Sequence, residues 1–246
     1  MANIDITKPL LECLKQFKGA PEKGDKETRQ KALEEDFVLL AKKLLYGGVF
    51  VISDNGQDLY TIELRSVEFY YHEEKDLPDR ERIYDWIVYH KNTKNATKKA
   101  FKTGYLNAHV SGIDITFEDN TTPDDPKYRA SALIRSFYVR KGLKGDEEPE
   151  EHPTRIYDEI LMQAPLRGYS IRWKDDDKKT DFSKDKLYSG SRINVFQYEP
   201  FNAPSNKKTT ELDTRKWAFS KDENTVVIHT DKNGKKTKEP RYTLVV

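Results

Sequence analysis

Apolar positions recur at helical spacing over the first fifty residues and then change to alternation, so helices are expected before strands. In residues 6–17, Leu10, Leu11, Cys13, Leu14 and Phe17 fall near one face and predict a short helix. The polar run "KGAPEKGDKETRQ" predicts a loop, and "KALEEDFVLLAKKLLYGG" predicts a stronger helix. In the latter, Leu33, Phe37, Leu40, Ala41, Leu44 and Leu45 share a face, and Gly47 and Gly48 stop the pattern. "VFVIS", "DNGQ" and "LYTIELRSVEFYY" then read as a hairpin with Asn55 and Gly56 in its turn.

Residues 105–118, "YLNAHVSGIDITFE", read as one strand whose pleat changes phase. Leu106, Ala108 and Val110 hold even positions, Ile113, Ile115 and Phe117 odd ones, which predicts a bulge or bend at Ser111 and Gly112. "ASALIRSFYV" is apolar on both faces, as a central strand is. "PTRIYDEILM" predicts a helix, "GYSIRW" and "SRINVFQYEP" predict strands, and the tail closes as a hairpin around Asn233 and Gly234. With no internal repeat and no clear linker, residues 1–246 are expected to form a single α+β domain with a mainly antiparallel sheet flanked by a few helices.

Composition narrows the function classes. The 43 basic and 42 acidic residues leave a net charge of +1, so any nucleic-acid surface must be local. Cys13 is the only cysteine, which excludes an internal disulfide and a cysteine-based zinc cluster. The five histidines show no metal-binding spacing, and no apolar run is long enough for a membrane span. A soluble, cytoplasmic protein without metal or other cofactor is expected. Phosphate-loop, dinucleotide and hydrolase-elbow motifs are absent.

One position stands out. Glu68 lies between Val67 and the run Phe69, Tyr70, Tyr71, inside an otherwise apolar strand. A carboxylate taken off water must be paired or hydrogen-bonded, and such a group either completes a structural ion pair or serves as a general base on water.

The order "LAKKLL", "GGVFVI", "VEFYY", a histidine-containing insert, "GYLNAHVSGIDI" and "ASALIRSF" resembles the alkyladenine type of 3-methyladenine DNA glycosylase. "PTRIYDEIL", "GSRINV" and "TRKWAFS" follow where that family has its late helix and strands, so the resemblance spans about residues 33–220. It implies a curved, glycosylase-like sheet and excision of a damaged purine-like base from DNA, or cleavage of a related nucleoside. Glu68 stands at the place of the acid that activates water, and Arg135 at that of a nearby arginine. Tyr70, His90 and His109 would line the base pocket, and Lys98, Lys99 and Lys102 lie in a connection that faces DNA in the family. The same lysines also fit a solvated surface, and Arg135 also fits a structural partner of Glu68. The chain departs from the family where a tyrosine holds the gap left by the flipped base, since Ser111 stands there and cannot fill that space. A non-catalytic relative that binds a nucleotide or a protein partner is the alternative.

Overall fold

The computed structural model describes residues 4–5, 8–74, 82–85, 99–109, 111–140, 153–156, 168–193, 195–198, 208–223, 226–230, 236–240 and 242–245. In chain order the elements begin with β1 (Ile4–Asp5), α1 (Lys8–Gln16), α2 (Lys26–Tyr46), β2 (Gly48–Asp54) and β3 (Gln57–Glu73). β4 (Leu106–His109), β5 (Gly112–Thr116), β6 (Tyr128–Arg140), β7 (Ser170–Asp175) and β8 (Tyr188–Gly190) follow. The last are β9 (Phe196–Tyr198), β10 (Lys208–Leu212), β11 (Ala218–Ser220), β12 (Val226–Thr230), β13 (Lys236–Pro240) and β14 (Thr243–Leu244). The fold is α+β: a ten-stranded, mainly antiparallel open sheet carries two described helices, while β9 with β10 and β12 with β13 form separate two-stranded ladders.

β3 is the spine of the sheet. One edge pairs first with β2 and then, from Ser66 to Glu68, with β11; the other pairs with β6 from Thr61 to Glu73. The β2–β3 turn places Asn55 at φ 48° and Gly56 at φ 83°, a left-handed pair that Asn-Gly adopts readily. β6 lies between β3 and β5, the central position its two apolar faces predict.

Alternation divides β3 into two faces. Val67, Phe69 and Tyr71 point toward the helices, where Phe37 of α2 stacks on Phe69 at 4.5 Å and meets Trp217 edge-on at 5.3 Å. Phe17, just after α1, adds edge contacts to Tyr71, Phe117 and Tyr128. This aromatic layer, with Leu33, Leu40, Leu44 and Leu45 of α2, is the core. Ser66, Glu68, Tyr70 and His72 point the other way and are also buried.

Three local expectations change. α2 starts within the expected loop, because Asp25 caps it by accepting from Thr28 N at 2.8 Å; Lys26, Glu27 and Thr28 are exposed and the turn carries no apolar signal. Residues 105–118 form two strands, not one bulged strand: β4 and β5 pair as Leu106 with Ile115, Ala108 with Ile113, and His109 with Gly112. A hairpin with two residues between its last paired positions sets even residues opposite odd ones, which produces the observed phase change. Gly112, at φ +139°, closes it against Leu133 and Pro153, where a Cβ would come within 3.0–3.2 Å. The strand expected at 191–200 is confined, among described residues, to β9, because Arg192 is drawn into the interior. β7 and the antiparallel pair β12 and β13 agree with the sequence reading. Of the helix expected in "PTRIYDEILM", only the stretch 153–156 is described, starting as a 3-10 turn, Pro153–Arg155.

Candidate active site

The row that crosses the sheet at Glu68 runs from Gly190 through Ala218, Glu68, Leu133 and Asp114 to Asn107. Residues paired in a ladder share a face, so Glu68 and Asp114 lie on the side away from the helices. Tyr70 and Arg135, two residues along from Glu68 and Leu133, join them there.

Glu68 is 1% exposed, and both its oxygens are engaged. Tyr70 Oη donates to Oε2 at 3.0 Å and Ile193 N to Oε1 at 3.0 Å, while Arg135 Nε stands 3.7 Å from Oε1. These donors suit the acceptor-only chemistry of a carboxylate. Burial, and then the Glu68 charge, push the Tyr70 phenol well above its ordinary pKa, so it remains a donor.

At the tip of the β4–β5 hairpin, Ser111 N donates to His109 Nδ1 at 3.2 Å, which turns Nε2 toward Asp114 Oδ2, also at 3.2 Å. That contact leaves Asp114 Oδ1 buried without a hydrogen bond among the described residues. An unused acceptor on a buried face is what a ligand N–H can take up.

The edge of the site is held by Arg192. It is fully buried, donates to Phe69 O at 3.1 Å and to Asp213 at 2.7 Å, and pairs with Asp85. Its guanidinium lies 4.7 Å from the Tyr70 ring centre and 5.0 Å from that of Trp217. Burial works against its charge, but Asp85, Tyr70 and Asp213 outweigh that penalty and raise its pKa. Burial would likewise raise Asp213, yet hydrogen bonding and charge from Arg215, with Arg192 behind, hold it down to about 2. His72 completes the network, sharing Nδ1 with the Asp85 backbone and meeting the Tyr84 ring at 4.4 Å.

Of the residues singled out from the sequence, Glu68, Tyr70, Arg135 and His109 therefore share one face. Ser111 is exposed in the hairpin turn, offering its backbone N–H to His109. Lys99 is exposed and pairs with Asp124 at 2.9 Å. Lys102 is exposed and lines a cavity with Tyr71 and Glu73, which face the helices rather than Glu68. His90 and Lys98 lie outside the described residues. Asp85, Asp114, Arg192 and Asp213 belong to the site but gave no sequence signal, since nothing in the local pattern distinguishes a buried charge from a solvated one.

Among the described residues no group of three or more His, Cys, Asp or Glu side chains could hold a metal ion, and no helix is long and apolar enough to cross a membrane. No protein-family model, curated protein or solved structure matches the chain.

Proposed function

We propose that the charged face of β3 is the site of an N-glycosidic bond hydrolase that releases a purine-like base from DNA or from a nucleoside. The carrying observation is Glu68, a buried carboxylate held by Tyr70, Ile193 N and Arg135 on a sheet face that bears charge instead of core. In this reading Glu68 takes a proton from water as the water attacks the sugar carbon and the base departs. Tyr70 orients the carboxylate, because one face of its ring is already taken by Arg192. Arg135 sets the second carboxylate oxygen. Asp114 Oδ1, without a hydrogen bond among the described residues, accepts an N–H of the base, and His109 forms the wall beside it. A curved sheet of the alkyladenine glycosylase kind belongs to the same proposal. Base entry requires the 191–193 segment, whose Ile193 N–H rests on Glu68, to move aside.

One observation favours a second reading. Glu68 is closed off and satisfied, as a structural ion pair or the floor of a non-catalytic binding site would be. Oligonucleotides carrying hypoxanthine or an alkylated purine, single- and double-stranded, and the corresponding nucleosides separate the two. The hydrolase releases free base from at least one of them, and if DNA is the substrate its binding weakens steeply as salt rises. No release from any, with no oligonucleotide binding at low salt, leaves the second reading.

A further inference from the structure

On the opposite face of the sheet a cavity of about 810 Å³ opens between α1, the start of α2 and the end of β3. Its size is that of a small-molecule site. The floor is aromatic: Tyr71 and Tyr128 stack at 5.5 Å, and Phe17 meets Tyr128 edge-on at 5.5 Å. Leu14 of α1 extends this apolar surface, and half-buried Leu11 carries it toward the opening.

The charges around the floor are not equivalent. Most of the carboxylate oxygens are supplied with protein donors: Glu73 pairs with buried Arg29, Glu118 Oε2 with Arg129 at 3.1 Å, and Glu22 with Lys127 at 2.9 Å. Asp119 accepts from Thr121 N at 2.9 Å and from Lys127 N at 2.9 Å. The exposed lysines at the mouth are less engaged. Among the described residues, Lys18 Nζ reaches only the Lys15 carbonyl, at 3.4 Å, Lys15 has a 3.4 Å pair with exposed Glu12, and Lys102 has no ion pair. An apolar floor under unspent ammonium groups selects a molecule with an apolar body and an anionic head.

We infer that this cavity binds a small amphipathic anion, its apolar body against Phe17, Tyr71 and Tyr128 and its carboxylate or equivalent head at Lys18 and Lys102. The site is independent of the Glu68 face.

Calorimetric titration of the full chain with dodecanoate, and separately with dodecyltrimethylammonium of equal chain length, tests the assignment. Saturable one-site binding of dodecanoate, with none of the cation, is expected. The double variant Lys18→Glu/Lys102→Glu, both positions exposed and so neutral to folding, should weaken it about tenfold or more, the loss of charge-assisted contacts. Leu11→Glu, which sets a charge in the path of the apolar body, should weaken it to a similar degree. Absence of saturable dodecanoate binding, preference for the cation, or undiminished affinity in the double variant would overturn the inference.

Discussion

At its middle, around Phe69 and Glu68, the two faces of β3 bury their side chains almost equally and by opposite chemistry. Phe69 and Glu68 are neighbours, 0% and 1% exposed. Phe69 is held by Phe37, Phe117 and Phe219, contacts that any well-packed apolar group of that volume could supply in part. Glu68 is held by two specific donors and the Arg135 ion pair, and around it Arg192, Asp85, Asp213 and Arg215 form a linked set of ions. Replacing buried ion pairs by apolar residues is often neutral or stabilising, so stability alone does not account for so much charge on one face. That asymmetry is the reason for placing chemistry there.

The largest expected effect comes from the apolar side. Phe69→Ala removes a ring stacked between α2 and the sheet, and urea unfolding should show a loss of about 3–5 kcal/mol. On the charged side, Arg192→Met removes the cation that pairs with buried Asp85 and should destabilise by on the order of 3 kcal/mol. Adding Asp85→Leu should recover much of that loss. Failure of the second change to help would mean that Arg192 acts through its contacts with Tyr70 and Trp217, and the contrast between the faces would fade.

A smaller, pH-dependent effect sharpens the comparison. Asp213 is held down to about 2 from an ordinary 3.8, chiefly by Arg215 once the burial cost is overcome. Its folded pKa is below its unfolded one, so its contribution is complete above about pH 4 and is lost as pH falls toward 2. Arg215→Met keeps a long side chain over Trp217 but removes the charge. Unfolding free energy, measured by urea denaturation at several pH values, should then lose about 1–2 kcal/mol of its acid-dependent part in that window. The smallest change is Tyr70→Phe, which deletes one hydrogen bond to Glu68 and should cost about 1 kcal/mol.

How much of this was readable in the sequence follows from the same division. Leu33, Phe37, Leu40 and Leu44 announced α2, and the alternation up to Tyr71 announced β3, because burial against a core imposes a period. Polar structure has no such period. The cap at Asp25 extended α2 into a stretch without apolar signal, and the β4–β5 hairpin was visible as a phase change whose turn, not bulge, only pairing reveals. Glu68 was legible because a lone acid in an apolar run is anomalous. Arg192 and Asp213 were not, since each sits in a segment where solvated charge is the ordinary expectation.

Removing the charge of Glu68 without its volume distinguishes a general base from a structural acid. Glu68→Gln preserves shape: its carbonyl oxygen can accept from Ile193 N, the Tyr70 hydroxyl can turn to accept from its amide, and Arg135, partly exposed, retains solvent. Single-turnover base release, measured beside thermal melts of both proteins, separates the roles. The account predicts a rate lowered by about 100-fold or more, the usual contribution of a general base, with nearly unchanged melting. A variant that releases base as fast as the wild type, or an inactive wild type whose Gln variant melts far earlier, would contradict it.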